Sequence, residues 1–279
     1  MLRHDRRLAV PGDMRYVLHM RQYVTIIVTL AALLMGAQVA SAQEPVGTAP
    51  APEAAPGTAD PAAEQPASPL APPTSKSSWA GRLLVVSTAR ATPSPTGKGL
   101  RLLQPIAPLG AGSVWLQVRG VKVVDGVRWV KVLIPVRPNG SQAWVRASDM
   151  TFRRLRVRVV VDLSDRRLYV YRKGRRIASF PVAVGAPSTP TPRGRFALAE
   201  EIQTGDPSGF LGPIVMPLTS FSNVLNEYAG GNGRVAIHGT SQPSLIGQRV
   251  SHGCIRMTNA DIRRLSRWVR PGVSVTVRA

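Results

Sequence analysis

Three side chains suited to acyl-transfer chemistry fall within a short stretch near the end of the chain. Cys254 is the only cysteine among 279 residues, and His238 and His252 are the only histidines after residue 19. A lone thiol is a candidate nucleophile when a base can take its proton and backbone N–H groups can face the oxyanion that forms. A cysteine-based acyl-transfer site is therefore the first hypothesis.

The local sequence distinguishes the two histidines. His238 follows an apolar run and precedes Gly239, which is typical of a strand that presents an imidazole at the mouth of a pocket. His252 lies two residues from Cys254, and alternate side chains of an extended segment share a face at a fixed offset. We therefore predict His238 as the base and His252 as part of the pocket wall.

The surroundings of Cys254 suggest how its thiol is activated. Gly253 precedes it, an amphipathic helix is expected a few residues later, and Arg256 adds positive charge. A helix N-terminus and a nearby cation both stabilise a thiolate. We therefore expect a stabilised thiolate at Cys254.

At this point the sequence is similar to a known signature. Residues 237–240 (IHGT), followed by Ser251–Met257 (SHGCIRM) with twelve residues between His238 and Ser251, resemble the catalytic motif of L,D-transpeptidase domains of the YkuD family. Residues 191–194 (TPRG) and 259–261 (NAD) are similar to two further family motifs. The resemblance covers roughly residues 155–277.

The resemblance implies a β-rich domain that takes an acyl group from a peptidoglycan stem peptide. Cys254 would be the acylated nucleophile and His238 its general base, oriented by the backbone carbonyl of Gly239. The N–H groups of Gly253 and Cys254 would face the oxyanion. The remaining two residues of the motif, Ser251 and His252, would shape the site.

Arg256 leaves two alternatives open. Its fork matches a carboxylate bidentately, so it could bind the carboxylate of the departing D-residue or of the acceptor. A structural salt bridge, for example to Asp261, is the alternative.

Just before the His238 strand, residues 203–233 are rich in glycine and polar residues, and we expect them to form a lid or substrate-cradling loop.

The elements that must position these residues are predicted to be mainly β-strands. Strands are expected at 156–162, 167–172, 177–184, 196–198 and 273–277, with one helix after Thr258 and a shorter helix around 220–228. Further upstream, apolar runs at 83–86, 114–118, 121–124, 127–136 and 143–145 alternate with turn signals such as Asp125-Gly126. The stretch 126–150 resembles the second half of a bacterial SH3-like domain.

The predicted organisation has four parts. Residues 1–42 read as a signal peptide with an A-x-A cleavage site, and residues 43–78 as a Pro/Ala-rich disordered linker. Residues 79–153 form a small SH3-like β-barrel, and residues 154–279 a YkuD-like catalytic domain with one or two short helices. The fold class is therefore mainly β, and the protein is expected to be exported to the periplasm or cell wall, or tethered to the membrane if the leader is not cleaved.

The charge of the chain favours an anionic partner. The formal net charge is +21, and residues 1–78 hold six basic and six acidic residues, so the whole excess lies in residues 79–279. Export argues against nucleic acid and leaves peptidoglycan stem peptides together with anionic envelope polymers or a membrane surface. Neither a metal nor a cofactor is predicted.

Three functions are compatible with these features. The first is a transpeptidase that forms cross-links through a Cys254 thioester. The second is an L,D-carboxypeptidase or endopeptidase that uses water as acceptor. The third is a non-catalytic protein that binds the cell wall through the SH3-like module and the basic surface.

Overall fold

The computed structural model describes residues 70–110, 112–228 and 230–279. The predicted signal peptide and the first part of the predicted linker lie outside these residues. From Leu70 onward the chain forms one compact unit. In this part of the chain no helix is both long enough and apolar enough to cross a bilayer.

The end of the predicted linker belongs to the fold. Leu70 packs against the first hydrophobic core, and Thr74 Oγ1 accepts the Ser77 N–H at 3.1 Å to close a turn. The Ser75 carbonyl accepts a hydrogen bond from Arg158 Nε at 3.1 Å. The expectation of a disordered tether up to Ser78 is therefore wrong for residues 70–78.

Residues 78–155 form a seven-stranded sheet. The strands are β1 Ser78–Leu83, β2 Ser87–Arg90, β3 Gly99–Leu103, β4 Trp115–Val124, β5 Val127–Leu133, β6 Gln142–Arg146 and β7 Met150–Leu155, with a 3-10 turn at Ala147–Asp149. Their order in the sheet is β3-β2-β6-β5-β4-β1-β7. We call this part the N-terminal module; its likeness to an SH3 domain stays a prediction.

Local sequence signals explain part of this module. Asp125 and Gly126 both have positive φ, 49° and 74°, and join β4 to β5 in the tight hairpin that their sequence predicts. The two runs expected at 114–118 and 121–124 form one strand with a register shift between Val118 and Gly120. The expectation that the apolar run at 83–86 forms a strand is wrong, because residues 84–86 are exposed and connect β1 to β2.

Residues 157–278 form three further sheets and one helix. The strands are β8 Val157–Asp162, β9 Arg167–Arg172, β10 Arg175–Pro181, β11 Val184–Gly185, β12 Gly194–Ala197, β13 Ile202–Gln203, β14 Ile214–Phe221, β15 Arg234–His238, β16 Arg249–Ser251, β17 Ile255–Arg256 and β18 Ser274–Arg278. A 3-10 turn spans Pro243–Leu245, and the helix α1 spans Asn259–Ser266. The sheet orders are β10-β9-β8-β18-β12, β13-β14-β15-β17 and β11-β16.

One hydrophobic core lies between these elements. It takes Val159 and Val275 from the five-stranded sheet, Met216 and Ile237 from the four-stranded sheet, and Leu265 from α1. Burying such side chains contributes roughly 1.5–3 kcal/mol each, so the core fixes the sheet that carries His238. The mainly β fold class is confirmed.

The predicted C-terminal helix is present, and the second predicted helix is not. Thr258 Oγ1 accepts the Asp261 N–H at 3.1 Å and caps α1, as its sequence predicts. The helix expected around 220–228 is wrong: residues 214–221 form the buried strand β14, and the described residues between β14 and β15 contain no helix. This strand also divides the lid expected at 203–233 into two shorter loops.

The N-terminal module is joined to the rest of the fold by polar side chains that bond to backbone groups. Arg153 Nη2 donates to the Pro271 carbonyl at 2.6 Å. Glu200 Oε2 accepts the N–H groups of Leu109 and Gly110 at 3.2 and 2.9 Å. Because buried backbone groups are costly to leave unpaired, these contacts hold the module in one orientation.

Candidate active site

His238 is the last residue of β15 and is buried, with 1% of its surface exposed. Its Nδ1 lies 2.6 Å from the backbone carbonyl oxygen of Gly239. A carbonyl oxygen can only accept, so Nδ1 carries the proton and Nε2 of the neutral ring keeps its lone pair. The orientation of the neutral imidazole is thus fixed, and Nε2 is its free nitrogen.

Cys254 lies beside the strand that carries this imidazole. Strand β17 starts directly after Cys254 and runs parallel to β15, with Ile237 opposite Ile255 and His238 opposite Arg256. The backbone of Ala236, two residues before His238, lies near enough to the thiol to lower its pKa. In this register Cys254 stands level with Ala236. Because side chains two residues apart along a strand share a face, the thiol and the imidazole lie on the same face of the two strands.

Desolvation favours the neutral form of both groups, although Cys254 as a residue is only half-buried. Desolvation lowers the pKa of His238 from 6.5 to about 4, helped by the nearby Arg256 cation and opposed by the hydrogen bond to Gly239. Desolvation raises the pKa of the Cys254 thiol, although the Ala236 backbone and Arg256 act in the opposite direction. At neutral pH the resting pair is thus a thiol and an imidazole that can accept its proton.

The expected thiolate at Cys254 is therefore wrong for the resting protein. The helix α1 begins at Asn259, five residues after Cys254, and its first-turn N–H of Asp261 is already bonded to Thr258. The effect of a helix dipole falls off within the first turn. Desolvation of the sulfur consequently has the larger effect on its pKa.

Ser251 shapes the turn that presents the cysteine. Its side chain is buried, its hydroxyl donates to the Cys254 carbonyl at 2.5 Å, and it accepts the Gly253 N–H at 3.2 Å. Gly253 has a φ of +114°, a conformation that residues with a Cβ rarely adopt. These two hydrogen bonds hold the turn, and the role of Ser251 in shaping the substrate site stays a prediction.

The two predicted oxyanion donors differ in availability. The Gly253 N–H would have to exchange Ser251 for a substrate oxygen before it could serve. Among the described residues the Cys254 N–H makes no hydrogen bond. Cys254 is therefore the readier donor, and the role of Gly253 stays a prediction.

Gly239 packs too closely against its neighbours to carry a side chain. A Cβ there would lie 2.4 Å from Asn259 Oδ1 and 2.9 Å from Pro213 Cδ. Asn259 in turn accepts the Thr240 N–H and donates to the Pro207 carbonyl, each at 2.8 Å. Asn259, the first residue of the motif at 259–261, thus fixes the segment whose carbonyl holds His238.

Arg256 is buried, with 6% of its surface exposed, and faces the site rather than Asp261. Asp261 lies 3.8 Å from Arg264, and among the described residues no carboxylate is within ion-pair distance of Arg256. Its guanidinium lies 4.6 Å from the ring of Phe210 and 3.5 Å from Gln242 Oε1, and its Nε has no hydrogen-bond partner. A buried cation without a counter-ion is suited to a carboxylate ligand.

Sequence reasoning missed Phe210 as a residue of the site. Its ring centroid lies 6.1 Å from that of His238, so it covers the buried imidazole. It is one of three aromatic residues in the segment 203–233. Because aromatic residues are few in this segment, Phe210 could have been singled out as a candidate site residue. No local pattern, however, connects it to a histidine 28 positions later.

His252 lies on the exposed side of the site. Its ring stacks on Tyr228, with centroids 4.2 Å apart and planes inclined by 24°. The place of His252 in a pocket wall and the base assignment to His238 both stay predictions. Residues 70–279, so far as they are described, contain no group of three or more His, Cys, Asp or Glu side chains that could hold a metal ion.

Comparison with known proteins agrees with this arrangement. Residues 156–277 match the family model described as YkuD, L,D-transpeptidase catalytic domain. The chain is 36% identical over 120 residues to a Bacillus licheniformis protein named L,D-transpeptidase YkuD, and 32% identical over 119 residues to the protein of that name from Bacillus subtilis. In both cases the match covers 43% of this chain and 64% of the relative.

Comparison with solved structures gives matches of low overall similarity. A crystal structure of an L,D-transpeptidase from Mycobacterium tuberculosis H37Rv matches with a TM-score of 0.38 and 17% identity, over 71% of this chain and 95% of that one. The match to the two Bacillus relatives, by contrast, spans less than two thirds of the length of each relative. Residues 156–277 are thus similar along their whole length to the YkuD family of L,D-transpeptidase catalytic domains.

Proposed function

We propose that this protein is an exported peptidoglycan L,D-transpeptidase that forms cross-links through a thioester on Cys254. The observation that carries the proposal is the neutral His238, held by Gly239 with Nε2 free, at the end of the strand that lies against the thiol. Such a pair needs no thiolate at rest, because the base takes the proton as the sulfur attacks.

The first half of the reaction acylates the cysteine. The Cys254 sulfur attacks the carbonyl carbon of the L-centre of the diamino acid in a stem peptide, while His238 Nε2 takes the thiol proton. The Cys254 N–H stabilises the oxyanion that forms. The C–N bond to the terminal D-residue then breaks, and the imidazolium gives its proton to the leaving amine.

The second half transfers the acyl group. An amine of a second stem peptide attacks the thioester carbon, and His238 takes a proton from that amine. The C–S bond breaks as the cross-link forms, and the imidazolium returns its proton to the sulfur of Cys254. The enzyme is thus restored with every proton accounted for.

Arg256 is the proposed carboxylate site of this reaction. The guanidinium is buried beside both reacting groups, and the described residues provide it with no acidic partner. The terminal D-residue of the donor carries a carboxylate that could pair with it bidentately. A buried charge pair of this kind would orient the scissile bond toward the thiol.

The basic outer face of the five-stranded sheet is the proposed docking surface for an anionic wall polymer. Arg158 stacks over Tyr171 at 3.8 Å, across neighbouring strands. Five arginines of this face come from its five strands: Arg158, Arg167, Arg176, Arg195 and Arg278. Its buried acid, Asp162, is paired with Arg278 at 3.0 Å, and among the described residues the other four arginines have no acidic partner, so their charge can attract a polyanion.

Binding to isolated cell walls tests this surface. The double variant Arg176→Glu/Arg195→Glu should lose most retention on purified walls at low salt, and wild-type retention should fall as salt rises. The matched control Arg101→Glu/Arg128→Glu changes the same charge on the N-terminal module and should lose less. Equal loss in both variants, or binding only to anionic lipid vesicles, would contradict the assignment of this face.

Product analysis tests the reaction itself. Purified protein lacking residues 1–42 is incubated with disaccharide-tetrapeptide, and the muropeptides are separated and weighed by mass spectrometry. Cross-linked dimers are expected, and Cys254→Ala should abolish them. Release of the terminal D-residue without dimers would identify a carboxypeptidase, and wall binding without any product would identify a non-catalytic protein.

Export is part of the same proposal. The basic start, the apolar run and the A-x-A site favour cleavage after Ala42 and delivery to the periplasm or cell wall. N-terminal sequencing of protein recovered from outside the cytoplasm should find Gln43 first. Recovery of the uncut chain in the membrane fraction would indicate a tethered enzyme instead.

A further inference from the structure

One turn of the N-terminal module contacts the loop that leads toward the active site. Arg137 and Asn139 lie in the connection between β5 and β6. Both bond to residues at the feet of the loop 222–233, which follows β14 and leads into β15. We call Arg137 and Asn139 the clamp, and residues 222–233 the rim loop.

Arg137 contacts both feet of the rim loop at once. Its Nη1 donates to the Ser222 carbonyl at 2.5 Å, and its Nη2 donates to the carbonyls of Leu225 and Asn232 at 3.0 and 3.2 Å. The guanidinium also lies 5.0 Å from the centroid of the Phe221 ring. A rigid planar fork can satisfy three carbonyls in this way, whereas an ammonium group lacks that geometry.

Asn139 fixes the residue directly before the rim loop. Its Oδ1 accepts the Phe221 N–H and its Nδ2 donates to the Phe221 carbonyl, both at 2.8 Å. This is the pairing that a neighbouring strand would supply at the end of β14. The clamp therefore recognises backbone atoms, and its effect depends on geometry rather than on net charge.

The other end of the rim loop meets the active site. Tyr228 and Gly231 exchange two backbone hydrogen bonds of 2.9 Å, so the loop folds back tightly. The Tyr228 ring stacks on His252, two residues from Cys254. At the second foot a Cβ on Gly233 would lie 2.2 Å from the Leu225 carbonyl oxygen, which leaves this closure little freedom.

We propose that Arg137 and Asn139 are positioning residues, which set the wall beside Cys254 through the rim loop and Tyr228. The inference rests on the proposed function, because it concerns how the substrate is held for acylation. The N-terminal module is in this account part of the machinery that builds the acyl site. The clamp touches neither the thiol nor the imidazole, so it acts on substrate placement alone.

Two rates measured on the same variants separate positioning from general damage. Acylation of Cys254 by a carbapenem depends on the pocket wall, whereas alkylation by iodoacetamide depends on the thiol and its surroundings. Arg137→Ala should slow acylation by about 10- to 100-fold, the effect expected of a misplaced substrate. Alkylation should change by less than about threefold, and Arg128→Ala, at an exposed arginine of β5, should change neither rate.

Conservative variants test the geometry. Arg137→Lys keeps the charge but loses the fork, so it should resemble Arg137→Ala. Asn139→Asp replaces the Nδ2 donor by an acceptor that faces the Phe221 carbonyl, and it should also slow acylation selectively. A wild-type acylation rate in Arg137→Lys would overturn the proposal.

A double-mutant cycle tests the route through Tyr228. If the clamp acts on that ring, Arg137→Ala should have less than about a twofold effect on acylation in the Tyr228→Ala background. Full additivity, or an equal fall in acylation and alkylation, would reduce the clamp to a structural contact. Failure of wild-type protein to react with the carbapenem would refute the proposed function, whereas equal acylation of wild type and Arg137→Ala would refute the clamp alone.

Discussion

The buried imidazole of His238 should make the stability of the protein depend on pH in a specific window. The pKa of His238 is lowered from 6.5 to about 4 in the folded protein. Between these values the unfolded chain binds a proton that the folded chain does not, so the stability present above pH 6.5 is lost as the pH falls toward 4. The slope is about 1.4 kcal/mol per pH unit, which amounts to roughly 2 kcal/mol between pH 7 and pH 5.

Urea unfolding at pH 7 and pH 5 measures this loss. The perturbation is His238→Asn, which removes the titrating group, so the difference between wild type and variant cancels the other ionisable residues. Wild type should lose about 2 kcal/mol more than His238→Asn between the two pH values. In the matched control His252→Asn the buried imidazole remains in place, and the dependence caused by His238 should persist.

The same protonation should govern the reaction. The acid limb of kcat/KM for acylation is expected near pH 4, because only the neutral imidazole can take the thiol proton. Equal loss of stability in wild type and His238→Asn, together with an acid limb near 6.5, would refute the reasoning that this base is buried and neutral.

Three further predictions concern the site. Gly239→Ala should lower kcat/KM by at least about 100-fold, because its Cβ would lie 2.4 Å from Asn259 Oδ1 and displace the carbonyl that holds His238. The control Gly112→Ala, where a Cβ meets nothing within 4 Å, should leave kcat/KM unchanged. Ser251→Ala should lower the free energy of unfolding in urea by about 2 kcal/mol, because two hydrogen bonds of a buried side chain are lost; a change below about 0.5 kcal/mol would contradict the role of that hydroxyl in the turn. Arg256→Gln should reduce the preference for a donor peptide with a free terminal carboxylate over its amide by about 10- to 100-fold, measured as a ratio of acylation rates, and an unchanged ratio would remove Arg256 from carboxylate recognition.

Short-range patterns predicted several elements correctly. The Asp125-Gly126 hairpin, the cap at Thr258 and the strand that ends at His238 each follow from neighbouring residues. These features depend on the backbone conformation that a residue prefers or on the spacing of apolar side chains. The sequence therefore supplied the central motif and the fold class.

The wrong expectations have physical reasons. The segment 203–233 is polar on average, and that average concealed the eight residues of β14, seven of which are buried by tertiary packing. The thiolate at Cys254 was expected from a helix whose start lies five residues away, whereas burial, which is not visible in the sequence, dominates the pKa. Residues such as Phe210 and Arg137 reach the site over long sequence separations, so no local pattern could identify them.

The central claim is that Cys254 forms a covalent acyl-enzyme with His238 as its base. Intact-mass spectrometry of protein incubated with a carbapenem at pH 7 tests it most directly. The account predicts one adduct with the full mass of the carbapenem, located on the peptide that contains Cys254, absent in Cys254→Ala and formed at least about 100-fold more slowly in His238→Asn. An adduct that persists in Cys254→Ala, or one that forms at the wild-type rate without His238, would contradict it.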